Sequence, residues 1–124
     1  MAAQQRPLSP HLQIYRLPLA ARLSIMHRGT GVFLSLGAFV LAAWLVAIAA
    51  GEEEYGRFTE IAGSLPGKLV LLAMLASFVF HLLTGIRHLL WDSLWGLENP
   101  RVTTTNTIVV VLTVLITAVL AWLA

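Results

Sequence analysis

Three stretches of this chain, 32–50, 69–86 and 102–124, contain no Lys, Arg, Asp or Glu, and they run for 19, 18 and 23 residues. A helix needs about 20 apolar residues to cross the roughly 30 Å hydrocarbon core of a bilayer. Hydrocarbon offers no water to unpaired backbone groups, so segments of this length satisfy their own N–H and C=O groups as helices. Composition points the same way. The chain is 58% hydrophobic and 11% charged, whereas soluble domains carry about 25% charged residues. The pattern predicts an all-α integral membrane fold with three transmembrane helices at 22–50, 65–94 and 104–124, in one domain, preceded by a segment over 1–21. Pro66 suits a first helical turn, where a missing N–H costs nothing. Asn99 and Pro100 read as a turn before the third span, and the acidic stretch from Glu52 to Glu60 as a solvated loop.

Basic residues set the orientation. Arg6, Arg16, Arg22 and Arg28 precede or open the first span, and Arg87 and Arg101 flank the second connection, while the first connection is acidic with one Arg57. The positive-inside rule then makes the N-terminus and the 92–101 loop cytoplasmic, with Lys68 snorkelling to the opposite side. A net charge of +2 without clustered basic and aromatic residues excludes a nucleic-acid partner. There is no cysteine, which excludes a thiolate-held iron–sulfur cluster, a disulfide and a covalently attached haem. Residues 1–16 lack the short apolar core of a signal peptide, and the expected location is a bacterial inner membrane, crossed several times.

The segment from His81 to Asp92 places polar groups at the inner end of a span. Such groups are costly in hydrocarbon unless paired, so they mark a candidate site. At 100° per residue, Ser77, His81, Gly85, His88 and Asp92 share one stripe. An imidazole beside a side-chain-free glycine leaves room for a flat ligand, and a b-type haem is the leading candidate. Without a metal, His81 would be a buried histidine bonded to a neighbouring helix. His81 and His88 lie on one face about 10 Å apart along the axis, so they cannot grip opposite faces of one iron, and His27 reads as too shallow to oppose His81. A second protein would then supply a ligand, or the iron would be five-coordinate. Arg87 points about 100° away from His88 and reads as a headgroup anchor or partner contact. His88 reads as an interfacial residue satisfied by lipid phosphate or Asp92. Trp44, Trp91, Trp95 and Trp122 read as interfacial anchors, Gly31 with Ser35 as a close-packing pair, and Thr113 and Thr117 as bonded to their own helix. His11 reads as a docking residue for soluble partners.

Two further motifs precede the first span: Arg6-Pro7-Leu8-Ser9-Pro10-His11 and Ser24-Ile25-Met26-His27-Arg28. With the His81–Asp92 segment, their order and spacing resemble the cytochrome b subunits that form the larger membrane anchor of succinate dehydrogenase, respiratory complex II. The resemblance implies that His81 is an axial ligand of haem b, with the second ligand from a second small membrane anchor subunit. It implies that Ser24 and Arg28 bind quinone, the substrate, beside an iron–sulfur subunit, and that His27, Arg28 and His88 meet the haem propionates. Succinate oxidation would belong to a flavoprotein subunit. Asp92 matches a family position without an assigned role. The residue chemistry agrees: a guanidinium is a permanent forked donor suited to carboxylates, and a hydroxyl one turn from it supplies a second donor to a quinone carbonyl. The alternatives are the anchor of a fumarate reductase, running the reverse reaction, and a haem-free structural anchor.

Overall fold

The computed structural model describes residues 16–124. His11, the Arg6–Pro7 motif and most of the 1–21 segment lie outside the described residues. Four helices follow in order: α1 (Leu19–Ala50), α2 (Glu52–Gly63), α3 (Leu65–Asp92) and α4 (Asn99–Leu123). Helices α1, α3 and α4 are each long and apolar enough to span a membrane. Helix α3 is central and packs against both α1 and α4, while α1 and α4 touch less extensively.

Pro18 stands immediately before α1, and the Arg22 Nε donates to the Leu17 carbonyl at 2.9 Å. The helix ends at Gly51, whose φ of 112° and ψ of −176° lie in a region essentially restricted to glycine. Gly51→Ala is therefore expected to destabilise the fold by about 1–3 kcal/mol, seen as a lower unfolding temperature of the protein in detergent.

The acidic connection is a helix rather than a loop. Glu52, Glu53 and Glu54 occupy the first turn of α2, where carboxylates oppose the helix dipole. Arg57 holds Glu53 at 2.7 Å and Glu54 at 3.0 Å, at i,i+4 and i,i+3 spacing. Ser64 closes α2 and caps α3 at once. Its hydroxyl donates to the Ile61 carbonyl at 2.6 Å, and its oxygen accepts from the Gly67 N–H at 3.2 Å. Pro66 falls in the first turn of α3 as expected.

The other boundaries move by a few residues. Helix α3 stops at Asp92, and Leu94 and Gly96 take left-handed φ values of 63° and 79° in the turn that follows. Helix α4 begins at Asn99, five residues earlier than expected, because Pro100 sits inside its first turn instead of ahead of it. The Thr113 hydroxyl donates to the Val109 carbonyl at 2.7 Å as anticipated, whereas the buried Thr117 hydroxyl has no partner.

Few side chains are enclosed. Leu23 of α1, Phe80 of α3 and Val109 of α4 form a small cluster with Leu83 packed against it. Large apolar side chains face outward instead, Phe39 at 74% and Trp122 at 84% exposure. A water-soluble bundle could not sustain that surface, since an extensive apolar exterior would drive association; in a bilayer it is the solvated face. Close approach between α1 and α3 occurs at two glycines of α1. A Cβ on Gly37 would stand 2.8 Å from Met74 Cε, and one on Gly31 would stand 3.0 Å from His81 Cε1.

Candidate functional site

The second approach brings the polar residues of two helices together. Helix α1 contributes Ser24, His27, Arg28 and Thr30, and α3 contributes His81, Thr84, Gly85 and His88. His27 and His81 stack face to face, with ring centroids 3.9 Å apart and planes 10° from parallel. His88 meets His27 edge-on at 5.1 Å. His27 is therefore level with His81 and not offset from it in depth. The space expected beside Gly85 is the place its ring occupies: a Cβ on Gly85 would lie 3.9 Å from His27 Cε1.

Hydrogen bonds assign the tautomers. The fully buried Thr84 hydroxyl donates to the Phe80 carbonyl at 2.7 Å, so its oxygen accepts from His27 Nδ1 at 2.6 Å. The Thr30 hydroxyl donates to the His27 carbonyl at 2.9 Å. His81 Nδ1 faces the same carbonyl at 3.0 Å. A carbonyl only accepts, so His81 Nδ1 carries the hydrogen, and a neutral ring then has its lone pair on Nε2. Nε2 has no hydrogen-bond partner among the described residues. That is the arrangement of a metal-binding imidazole, oriented and made more basic through its other nitrogen. No group of three or more His, Cys, Asp or Glu side chains gathers around a common point among the described residues.

Stacked rings lie side by side, not end to end, so His27 and His81 cannot be opposing ligands of one iron. Ser24 is half-buried and Arg28 exposed one turn along α1. Neither hydrogen-bonds to the histidine cluster, and Arg28 pairs with no acid among the described residues. Asp92 is exposed and forms no ion pair with His88, whose ring instead meets Trp91 edge-on at 5.2 Å.

Arg87 departs furthest from expectation. It is 4% exposed, not a headgroup anchor. Its guanidinium turns into the α3–α4 contact, donates through one terminal nitrogen to Asn106 Oδ1, and lies over the Trp91 ring at 4.6 Å. Trp95 similarly carries Arg101 at 5.9 Å. Sequence reasoning passed over Thr30, Thr84 and Asn106. The two threonines could have been found, since each lies three residues beyond a site histidine and therefore on the same helix face.

Residues 2–120 match the family of succinate dehydrogenase/fumarate reductase transmembrane subunits. The chain belongs to that family. It is 40% identical to the succinate dehydrogenase cytochrome b556 subunit of Rickettsia felis, over 94% of this chain and 90% of that one. It is 44% identical to the subunit of the same name from Paracoccus denitrificans, over 75% and 72% of the two chains. The mitochondrial succinate dehydrogenase cytochrome b560 subunit of Mus musculus is 40% identical over 91% of this chain and 68% of its own. Membership of a transmembrane family and three spanning helices together make this a multi-pass, all-α membrane protein.

Proposed function

We propose that this chain is the larger membrane anchor of a bacterial succinate dehydrogenase, that His81 ligates haem b, and that Ser24 and Arg28 form part of the quinone-reduction site. The observation that carries the haem assignment is the Nδ1 bond of His81 to the His27 carbonyl. It leaves Nε2 unprotonated, and neutral imidazole is an ordinary haem-iron ligand. The bound haem supplies a one-electron redox centre. The chain's own residues do the rest. Thr30 and the His27 carbonyl orient His81; Gly31 clears the space against which its ring rests. His27, Arg28 and His88 provide donors and charge for the propionates.

Ser24 and Arg28 also offer a hydroxyl and a guanidinium one turn apart on α1, with no hydrogen-bond or acidic partner among the described residues. They bind the two-electron acceptor, the guanidinium offsetting negative charge as the quinone oxygen is reduced. Their place at the N-terminal end of α1, with the N-terminus cytoplasmic, puts the acceptor within reach of an iron–sulfur subunit on that side. A flavoprotein subunit would oxidise succinate, and a second small anchor subunit would supply the other histidine that holds the haem. The cytochrome names of the relatives support this reading.

A reduced-minus-oxidised spectrum of the complex purified from its native inner membrane tests it. The expected result is a b-type signal at one haem per flavin. A complex that reduces quinone with no Soret band would leave the chain as a structural anchor.

A further inference from the structure

Arg87 has no part in the chemistry above, and its surroundings are unusual. The ion pairs among the described residues are Arg57 with Glu53 and Glu54, and Arg101 with Glu98. No carboxylate pairs with Arg87. Its hydrogen-bonding partner among the described residues, Asn106, is neutral and 2% exposed. Its Nε and second terminal nitrogen are buried without a partner among the described residues. A guanidinium stays protonated in proteins, so this is a full positive charge that no acid among the described residues neutralises. It stands six positions after His81 on the same helix, about 9 Å along the axis. Charges at that separation inside protein interact far more strongly than in water and are little screened by salt.

We propose that Arg87 is a fixed buried charge that raises the reduction potential of the haem held by His81, with Asn106 and Trp91 holding it in place. The inference rests on the haem assignment above. Ferric haem carries one more positive charge than ferrous haem and gains one electron on reduction, with no proton or ligand required. A nearby positive charge therefore disfavours the oxidised form. Asn106 supplies an acceptor without supplying a negative charge, which keeps the field of Arg87 intact. Trp91 covers the guanidinium face by a cation–π contact, which holds it without neutralising it.

Potentiometric titration of the haem in the intact complex tests this through the potential and not through turnover. Arg87→Met removes the charge. Asn106→Asp, of the same shape, neutralises it in place and covers the case in which Arg87→Met fails to assemble. Both are expected to lower the ratio of reduced to oxidised haem at a fixed potential by about tenfold, which is about 59 mV for a one-electron couple. Arg87→Lys and Asn106→Gln, which preserve the charge, are expected to stay within about twofold of the parent. An unshifted potential in Asn106→Asp at full haem content would overturn the proposal. So would an equal shift in Asn106→Gln, since position and not charge would then be the cause. A parent complex containing no haem would overturn the ligand assignment itself, and this proposal with it.

Discussion

Replacing His81 with alanine is expected to abolish the b-type absorbance of the complex. The effect is large because neither of the other described histidines is placed to take over. His88 is two turns away along the same stripe, and His27, though stacked on His81 at 3.9 Å, has its own Nδ1 tied to Thr84 and is carried by a different helix. Removing the His81 ring also leaves a void between Gly31 and His27, where a ring without its stacking partner has no reason to keep its present tilt. Haem content, measured against flavin, is expected to fall to near zero while the three spanning helices remain. Full haem content in the alanine variant would mean that another chain supplies both ligands. A Thr30→Val variant gives a graded companion. It removes the hydroxyl that supports the His27 carbonyl and His81 Nδ1, and each such bond is worth about 1 kcal/mol, so the haem stays bound but its spectrum shifts.

The second large effect concerns Arg28 and Ser24. Arg28→Leu is expected to slow quinone reduction by about 10–150-fold, the equivalent of the roughly 1.5–3 kcal/mol carried by a hydrogen bond to a charged group. Ser24→Ala removes a neutral donor worth about 1 kcal/mol and is expected to cost about fivefold. In both variants, succinate-driven reduction of a soluble artificial dye should continue at the parental rate, because that path leaves the protein before reaching α1. Equal losses with dye and quinone would move the fault to the soluble subunits or to assembly, and would remove Ser24 and Arg28 from the quinone site. The tertiary structure is consistent with this division of labour. Arg28 is exposed and free of acidic partners among the described residues, so leucine at that position disturbs no internal network.

The two sites thus differ in how they are built. His81 is held by a backbone carbonyl, a threonine and a glycine of α1, all fixed by the close α1–α3 contact. Ser24 and Arg28 have no such support among the described residues beyond their place near the N-terminal end of α1. The first kind of site is sensitive to packing changes such as a side chain at Gly31. The second is sensitive mainly to direct replacement.

The existence of three spans was legible in the linear order of residues. Uncharged runs of bilayer length permit only self-satisfied helices, and helical periodicity alone puts His81, Gly85 and His88 on one face. Local signals also contained α2, since three acids followed by an arginine at i+3 and i+4 favour a helix end over a loop. Pro100 was ambiguous for the opposite reason: the same lack of an N–H suits a turn and a first helical turn equally.

What periodicity could not supply was the neighbour that each face meets. Arg87 pointed about 100° from His88 by helical geometry, but only the packing of α3 against α4 decides that Asn106 and Trp91, and not lipid phosphate, wait there. The level of His27 was equally beyond reach. It depends on the axial offset between α1 and α3, which is set where Gly31 and Gly37 let the helices close. The residue order by itself therefore determined the helices, their faces and the chemistry each face carries, because those follow from local backbone geometry and the bilayer as solvent. The tertiary structure alone decided the His27–His81 stack and the burial of Arg87, because register and rotation between helices depend on contacts that are distant in sequence.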